Sequence, residues 1–261
     1  MGEITTMVQP PSLIKSKFKA AGIHLCISSV IFLVLAYFIV FEWYPFPYFT
    51  ADGGWQGVRI VALIDMVLGP FLTLVIFNPS KSIREIRFDL GVIALAQISV
   101  LVWGIYTVHN ERPVAVVHWD GEFYTVASKN FKVRNISLVQ LNQFSEEKPP
   151  LIHAYHPVDP IELKEMLDVI TEKKLAPFEQ IHLYRSFKEN RDEIFSYKKI
   201  NIEEIISTNE EMQKELGIFL TKSKGKRDDY IYMPLNARYH DVILIFSKDG
   251  DIQGTLNAPY K

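Results

Sequence analysis

The chain has 261 residues, 48% of them hydrophobic, with one cysteine and a formal net charge of −2. A single cysteine excludes a disulfide within the chain and any CxxC redox or metal motif. From His109 onward, 21 Lys and Arg residues stand against 24 Asp and Glu residues, and this near-neutral balance argues against a nucleic-acid partner. Apolar residues crowd the first 108 positions, so the chain does not read as one uniform soluble domain.

Three apolar stretches in the first part of the chain are long enough to cross a membrane. Residues 23–41 and 90–108 contain no Asp, Glu, Lys or Arg, and residues 60–77 contain only Asp65. At a rise of about 1.5 Å per residue, each helix would cover most of a hydrocarbon core of about 30 Å. The sequence therefore predicts a three-helix membrane domain over residues 23–108.

The distribution of Lys and Arg predicts the direction of these helices. Residues 1–22 contain three Lys residues and residues 78–89 contain one Lys and two Arg residues, whereas residues 42–58 contain neither type. By the positive-inside rule, the tail over residues 1–22 and the 78–89 loop face the cytoplasm. In a bacterium, the 42–58 loop and residues 109–261 would then face the periplasm. Aromatic residues of the 42–58 loop are expected in the interfacial belt: Trp43, Tyr44, Tyr48 and Trp55.

Residues 109–261 are predicted to form an α+β domain with a small antiparallel sheet. β-rich runs surround Asp120-Gly121 and Asp249-Gly250, and an Asp-Gly pair between such runs is a hairpin signal. Residues 228–235 are a further strand candidate. Strands at both ends of the domain with helices between them predict this fold class.

The middle of this domain carries helical patterns. Residues 159–174 place apolar side chains at near-helical spacing, with Asp159 as the N-cap and Pro160 as the first helical residue. Residues 191–199 and 201–220 indicate further helices. These patterns predict helices without predicting their order in space.

Motifs of enzymatic chemistry are not found in the sequence. It contains no nucleophile elbow, phosphate loop or dinucleotide fingerprint. His153 and His156 lie three residues apart beside prolines, without the further ligands at matching spacing that zinc requires. We interpret them as residues of a surface loop rather than as a metal site, and we expect no cofactor.

Asp65 is the residue of the apolar stretches that most needs an explanation. A carboxylate at the centre of a membrane helix costs roughly 2.5–3.5 kcal/mol. The twelve Leu, Ile, Val and Phe residues of the stretch 60–77 together favour insertion by about 5 kcal/mol. Insertion therefore remains favourable, but a buried acid is rarely placed in a membrane helix without a partner.

Two roles for Asp65 remain open. In a structural role it hydrogen-bonds Gln97, Thr73 or a backbone group and holds the three helices together. In a functional role it contacts a polar group on another transmembrane helix. The Gly69-Pro70 pair fits both roles, because proline kinks a helix and glycine permits close helix approach. An ion pathway is disfavoured, since three helices with one acid make a poor conduit.

Several short motifs of the first part of the chain are specific enough to compare with known families: Trp43-Tyr44-Pro45, Asp52-Gly53-Gly54-Trp55-Gln56-Gly57, Asp65 with Leu68-Gly69-Pro70, Phe77-Asn78-Pro79 and Glu111-Arg112-Pro113. Together they resemble the type IV pilin accessory proteins of the TfpX/TfpZ kind. The similarity extends over residues 17–81 and 86–117, whereas residues 127–228 contain no motif that we can place.

The resemblance implies an inner-membrane protein that is not an enzyme and that assists the stability, assembly or surface display of a particular major pilin. Minor pilins, the pilus assembly platform and membrane lipid are further expected partners. A pilin before assembly is one membrane helix with a periplasmic head, so three membrane helices and a periplasmic domain can contact both parts. The candidate residues for partner binding or helix packing are Asp65, Gly69, Pro70, Gln97, Asp52, Gly53, Gly54 and Trp55.

Two other classes of function stay open. One is a membrane-tethered receptor whose periplasmic domain binds a ligand, although its cytoplasmic segments are too short for an output domain. The other is an intramembrane enzyme, which needs at least two cooperating polar groups at one depth. On the sequence alone, Asp65 is the only ionisable group expected well inside a helix.

Overall fold

A computed structural model describes residues 13–196 and 200–257 of the chain. These residues form two compact units. The membrane unit consists of residues 13–39 and 56–108. The sheet unit consists of residues 40–55 and of the described residues from 109 onward. Residues 40–55 lie within the range predicted for the membrane domain, 23–108, and they group with the sheet unit.

Three helices are long and apolar enough to cross a membrane: Leu13–Trp43, Gly54–Ile76 and Ile83–Glu111. All three begin before the apolar stretches identified in the sequence. The first starts with α1 (Leu13–Tyr37) and continues as a π-helical segment, Phe38–Trp43. Residues 13–22, predicted as part of a tail, are therefore helical, and residues 1–12 lie outside the described part.

The second span changes its helical hydrogen bonding beside its proline. It consists of α3 (Gly54–Ala62), a π-helical segment (Leu63–Leu68) and α4 (Gly69–Ile76). Pro70 has no N–H to give to the carbonyl four residues back, and a π-helical turn is one of the ways a helix accommodates such a break. Phe77 is extended and ends the helix just before Asn78-Pro79, as proline after the helix predicts.

The third span is the single helix α5 (Ile83–Glu111). Ser82 and Glu85 close its N-terminus as a capping box. The Ser82 backbone N–H donates to Glu85 Oε2 at 2.8 Å, and the Glu85 N–H donates to Ser82 Oγ at 3.3 Å. Because these bonds satisfy backbone donors at the helix end, the turn before α5 is fixed by its own sequence.

The sheet unit contains a seven-stranded mixed sheet in the order β4-β3-β1-β2-β5-β6-β7. The pairs β1–β3 and β2–β5 are parallel, and the other neighbouring pairs are antiparallel. Its strands are β1 (Pro113–Trp119), β2 (Glu122–Ala127), β3 (Leu151–Ala154), β4 (Tyr184–Ser186), β5 (Tyr230–Asn236), β6 (Val242–Ser247) and β7 (Ile252–Asn257). The predicted small antiparallel sheet is therefore wrong in size and in strand direction. Long connections with helices allow parallel pairing, which a two-residue turn cannot give.

The local predictions in this unit are confirmed. Asp120 (φ 49°) and Gly121 (φ 85°) join β1 to β2, and Gly250 (φ 95°) lies between β6 and β7. The Asp159 carboxylate accepts from the N–H groups of Ile161 and Glu162 at the start of α7. The helices are α2 (Tyr48–Ala51), α6 (Ser128–Lys132), α7 (Pro160–Lys173), α8 (Phe187–Ser196), α9 (Ile202–Thr208) and α10 (Glu210–Ser223). Residues 197–199 of the predicted helix 191–199 lie outside the described part.

The segment over residues 40–55 belongs to the core of the sheet unit. Tyr48 and Ala51 of α2 are buried in one cluster with Val116 of β1 and Phe123 of β2. Tyr44 is 2% exposed and Tyr48 is 3% exposed. Both were expected in the interfacial aromatic belt, and that expectation is wrong because their rings are covered by protein.

Candidate functional site

Asp65 lies at the midpoint of the second span. It is eleven residues from Gly54 and eleven from Ile76, and its side chain is fully buried. At about 1.5 Å per residue, each end of the helix is about 16 Å away. In the sequence, the apolar stretch begins only at Ile60, five residues before Asp65, whereas the helix itself begins at Gly54. A carboxylate at the middle of a span carries the full cost of its position, so its contacts matter.

Gln97 of α5 is the partner of Asp65. Its Nε2 donates to Asp65 Oδ1 at 2.8 Å and lies 3.3 Å from Ser28 Oγ. The Gln97 side chain packs directly against Gly69, where a larger residue would clash: a Cβ at this position would lie 2.3 Å from Gln97 Oε1. Of the structural partners considered for Asp65, Gln97 is the one that bonds its side chain, and all three spans meet at this bond.

His24 of the first span completes the cluster and was missed in the sequence. Its Nδ1 lies 2.6 Å from Thr73 Oγ1, and its Nε2 lies 2.7 Å from Gln97 Oε1. The available signal was an imidazole inside an otherwise uncharged apolar run. Two ionisable groups therefore meet at one place in the membrane unit, where the sequence led us to expect Asp65 alone.

The donors and acceptors of the cluster limit its proton arrangements. Gln97 Oε1 can only accept, so His24 Nε2 carries a proton. Thr73 Oγ1 has one proton and lies 3.1 Å from the carbonyl oxygen of Gly69. Thr73 can therefore donate to that carbonyl or to His24 Nδ1, but not fully to both.

A cavity of 470 Å³ lies next to this cluster, within the membrane unit. Aliphatic side chains of the first and third spans form most of its wall, including Ile27 and Ile98, and the polar side chains of the cluster form the rest: His24, Ser28, Asp65, Thr73 and Gln97. Asp65 Oδ2 is buried there and has no hydrogen-bond partner among the residues that the structure describes. The mostly apolar cavity thus contains a hydrogen-bond acceptor that these residues leave unused.

The Asp52-Gly53-Gly54-Trp55 motif belongs to the sheet unit, and its first residue joins α2 to the sheet. Asp52 is 2% exposed. Its Oδ1 accepts from Thr125 Oγ1 at 2.7 Å and from the Arg238 backbone N–H at 3.1 Å. Burial raises the pKa of the Asp52 carboxyl, and these two hydrogen bonds oppose that rise in part.

The glycines of this motif allow close packing. Gly53 has φ +105°, and a Cβ there would lie 2.5 Å from Tyr239 Cε2. A Cβ on Gly54 would lie 2.4 Å from the Phe49 ring. Trp55 is 47% exposed and meets Phe49 edge-on, with ring centroids 6.3 Å apart. The motif therefore packs the sheet unit, and Trp55 is its exposed member.

The interpretation of His153 as a surface-loop residue is wrong. His153 lies in β3, is 8% exposed, and is in register with His118 of β1, with their Nδ1 atoms 3.1 Å apart. Burial lowers the pKa of His118 to about 3 and also lowers the pKa of His153, so both rings are neutral at pH 7 and one donates to the other. His156 stacks on Trp119 with centroids 3.8 Å apart.

These histidines line a second cavity, of 530 Å³, together with residues that include Arg185 and Glu193. Within residues 13–196 and 200–257 there is no group of three or more His, Cys, Asp or Glu side chains that could hold a metal ion. The cavity lies at the carboxyl ends of the parallel strands β1 and β3, a common location for a ligand in sheets with parallel strands.

Comparison with known proteins points to fimbriae. A family model described as fimbrial assembly protein FimB matches residues 12–53. The fimbrial assembly protein of Dichelobacter nodosus serogroup E1 is 40% identical over 99 residues, which are 38% of each chain. That of serogroups C1 and C2 is 38% identical over 99 residues, which cover 38% of this chain and 76% of that protein.

The serogroup I protein of the same organism is 38% identical over 99 residues, again 38% of each chain. The matched segment thus spans well under half the length of the serogroup E1 and I proteins, and about three quarters of the protein of serogroups C1 and C2. No solved structure matches the chain.

Proposed function

The chain belongs to the FimB family of fimbrial assembly proteins, and we propose from this that it is a non-enzymatic accessory protein of type IV pili. In this proposal it binds a cognate major pilin and modulates the stability, assembly or surface display of that pilin. The observation that carries the proposal is the 38–40% identity to fimbrial assembly proteins over 99 residues. The motifs shared with the TfpX/TfpZ kind of accessory protein support the same reading.

The division into two units suits a pilin as the partner. A pilin before assembly has one membrane helix and one head outside the membrane. The membrane unit offers three apolar helices with a polar cluster among them, and the sheet unit is a separate folded body. We infer that the membrane unit contacts the pilin helix and that the sheet unit contacts the pilin head.

The distribution of charge supports a location in the bacterial inner membrane. Lys15, Lys17 and Lys19 lie at the start of the first span, and Lys81, Arg84 and Arg87 lie around the start of the third. By the positive-inside rule these ends face the cytoplasm, and the sheet unit then lies in the periplasm, on the side where a pilin carries its head.

The contacts of the polar cluster favour a binding role over catalysis. Thr73, the hydroxyl nearest His24, is 1% exposed, so a substrate has little access to it. The other ring nitrogen of His24 bonds an amide oxygen of Gln97 rather than a carboxylate. An imidazole activated as a general base is usually oriented by an acid.

Co-purification tests the proposal directly. The tagged full-length protein is extracted from membranes in mild detergent, and the proteins bound to it are identified by mass spectrometry. We expect the major pilin, and we expect its recovery to fall both when the pilin lacks its head and when it lacks its membrane helix. A strain that lacks the major pilin gives the background.

Two results would contradict the proposal. Recovery of minor pilins or assembly-platform proteins without the major pilin would assign the protein to regulation of the pilus machine. Recovery of no pilus component, in an extract where other membrane complexes stay intact, would remove the pilus role and leave the family relationship without this partner.

One observation favours a second function, that of a membrane-tethered receptor. In the 530 Å³ cavity of the sheet unit, His118 Nε2 is buried without a hydrogen-bond partner among the described residues. A small ligand with a complementary group would stabilise the folded protein. Thermal unfolding of the full-length protein with a panel of amines, amino acids and carboxylates tests this, with His118→Phe as the comparison. A ligand that raises the unfolding midpoint of only the unaltered protein would favour the receptor.

A further inference from the structure

The free oxygen of Asp65 indicates which chemical group the cavity of the membrane unit accepts. Oδ1 is used by Gln97, while Oδ2 is buried, unpartnered and part of the cavity wall. An ionised carboxylate can only accept hydrogen bonds. A buried acceptor left without a donor costs free energy, so a molecule that brings a donor to Oδ2 recovers that cost.

The position of the cavity limits which molecules can supply this hydrogen-bond donor. Asp65 lies at the midpoint of its span, about 16 Å from either end of the helix. Lipid headgroups lie near the ends of such a helix, and lipid tails carry no donor. A side chain on another transmembrane helix can reach this depth, and the cavity volume of 470 Å³ is within the range of pockets that hold a ligand group.

We propose that this cavity receives a hydrogen-bond-donating side chain, neutral or cationic, from the transmembrane helix of the pilin that the protein serves. The aliphatic wall contacts the apolar surface of that helix, and Asp65 Oδ2 accepts from the donor. The inference rests on the proposed function and adds the group that is recognised. It also implies selection, because an ionised carboxylate at the same position would meet another carboxylate with no donor between them.

Asp65→Asn separates the structural contact from the recognition contact. An asparagine keeps an oxygen for the Gln97 Nε2 donor and has nearly the same shape. Its other polar atom is an amide nitrogen, which donates, so the free acceptor in the cavity becomes a donor. The variant is therefore expected to keep the packing of the membrane unit and to lose the partner.

Photocrosslinking with the full-length protein in membranes tests the proposal. A photoreactive amino acid replaces Ile98, which lines the cavity and is 58% exposed. The matched control replaces Leu95, which lies on the same helix, is 68% exposed and does not line the cavity. We expect adducts between position 98 and the transmembrane peptide of the major pilin, and none from position 95. Asp65→Asn should lower the adduct yield by at least about tenfold.

The outcomes separate this inference from the proposed function. If the pilin co-purifies but position 98 yields only lipid adducts, or reacts no more than position 95, the inference is wrong and the proposed function stands. The same holds if Asp65→Asn keeps the full yield. If no pilin co-purifies and no pilin adduct forms, both are wrong. Should Asp65→Asn fail to fold, judged by its thermal unfolding in detergent, the comparison of positions 98 and 95 in the unaltered protein still decides.

Discussion

Two buried aspartates, one in each unit, differ in how their oxygens are used. Asp52 of the sheet unit accepts two hydrogen bonds at Oδ1, one from the Thr125 hydroxyl and one from the Arg238 backbone N–H. Asp65 of the membrane unit accepts from Gln97 at one oxygen, and its other oxygen has no partner among the described residues. Burial is almost the same, at 2% and 0% exposure.

The difference indicates different roles. The two donors to Asp52 Oδ1 lie in β2 and just after β5, so Asp52 connects the end of α2 to both of these segments. A buried carboxylate oxygen without a donor, beside a cavity, has capacity left for another molecule. Burial alone therefore does not distinguish a structural acid from a binding one, and the donors that reach each oxygen must be known as well.

The largest predicted effect tests whether the Asp65 cluster also holds the membrane unit together. Gly69→Ala places a Cβ 2.3 Å from Gln97 Oε1, so the end of the Gln97 side chain must move and its hydrogen bonds to His24 and Asp65 are disturbed. Because buried polar groups then lose partners, we expect a loss of about 2–3 kcal/mol in the free energy of unfolding. The measurement is unfolding of the purified protein in detergent.

Gly91→Ala is the matched control for this prediction. Gly91 lies in α5, and nothing is within 4 Å of the position of its Cβ. Since alanine favours a helix over glycine, this variant should be unchanged or slightly more stable. Equal behaviour of the two variants would show that the Gln97 contacts contribute little to stability.

The second prediction concerns the hydrogen bond from the Thr125 hydroxyl to Asp52. Thr125→Val keeps the shape of the side chain and removes the hydroxyl that donates to Asp52 Oδ1 at 2.7 Å. We expect a loss of about 1–2 kcal/mol in the free energy of unfolding, because a hydrogen bond to a buried acid is lost. Thr171→Val is the control, since Thr171 is exposed and its hydroxyl bonds only the backbone of its own helix. If Thr125→Val and Thr171→Val lose the same free energy of unfolding, the hydrogen bond from Thr125 to Asp52 contributes nothing measurable to stability.

How much the sequence predicts depends on whether a feature has a local signal. The three spans, the two Asp-Gly hairpins and the Asp159 cap each arise within a few residues or one helix length, and the structure contains all of them. The Asp65–Gln97 bond was also predictable, because few polar groups are available inside the spans.

The features that were missed connect distant parts of the chain. His24 bonds Thr73 and Gln97, which are 49 and 73 positions away in the sequence. A single histidine changes the mean hydropathy of a long apolar stretch too little to be noticed. The parallel pairing of β1 with β3 joins two segments whose local patterns carry no mark of direction. Tyr48 has the composition of a membrane-interface aromatic, and only the packing of α2 against Phe123 shows that it is buried.

The third prediction is a pH effect whose sign is the test. Burial raises the pKa of Asp52 above its ordinary value of 3.8, so the folded protein binds a proton more tightly there than the unfolded chain does. The stability that protonation of Asp52 contributes is fully present below pH 3.8. It is lost as the pH rises from 3.8 through the higher pKa that Asp52 has in the folded protein. Asp52→Asn cannot ionise, so its unfolding midpoint should fall less than that of the unaltered protein over this rise in pH.

The difference between the two proteins is the quantity to follow, because other groups titrate equally in both. A difference that stays constant with pH would show that Asp52 has the same affinity for protons in the folded and unfolded chain. A difference of the opposite sign would show that the hydrogen bonds from Thr125 and Arg238 outweigh burial.

The smallest predicted effect concerns His24, which joins the cluster without contacting Asp65. His24→Leu removes its bonds to Thr73 and Gln97 but leaves the bond from Gln97 to Asp65. Hydrogen bonds between membrane helices average about 0.6 kcal/mol each, so we expect a loss near 1 kcal/mol in detergent unfolding, well below that of Gly69→Ala. Ser29→Ala, which removes only a bond to the backbone of its own helix, is the control. If His24→Leu instead matches Gly69→Ala, then the bonds of the imidazole to Thr73 and Gln97 hold the cluster together as strongly as the contacts of Gln97 do.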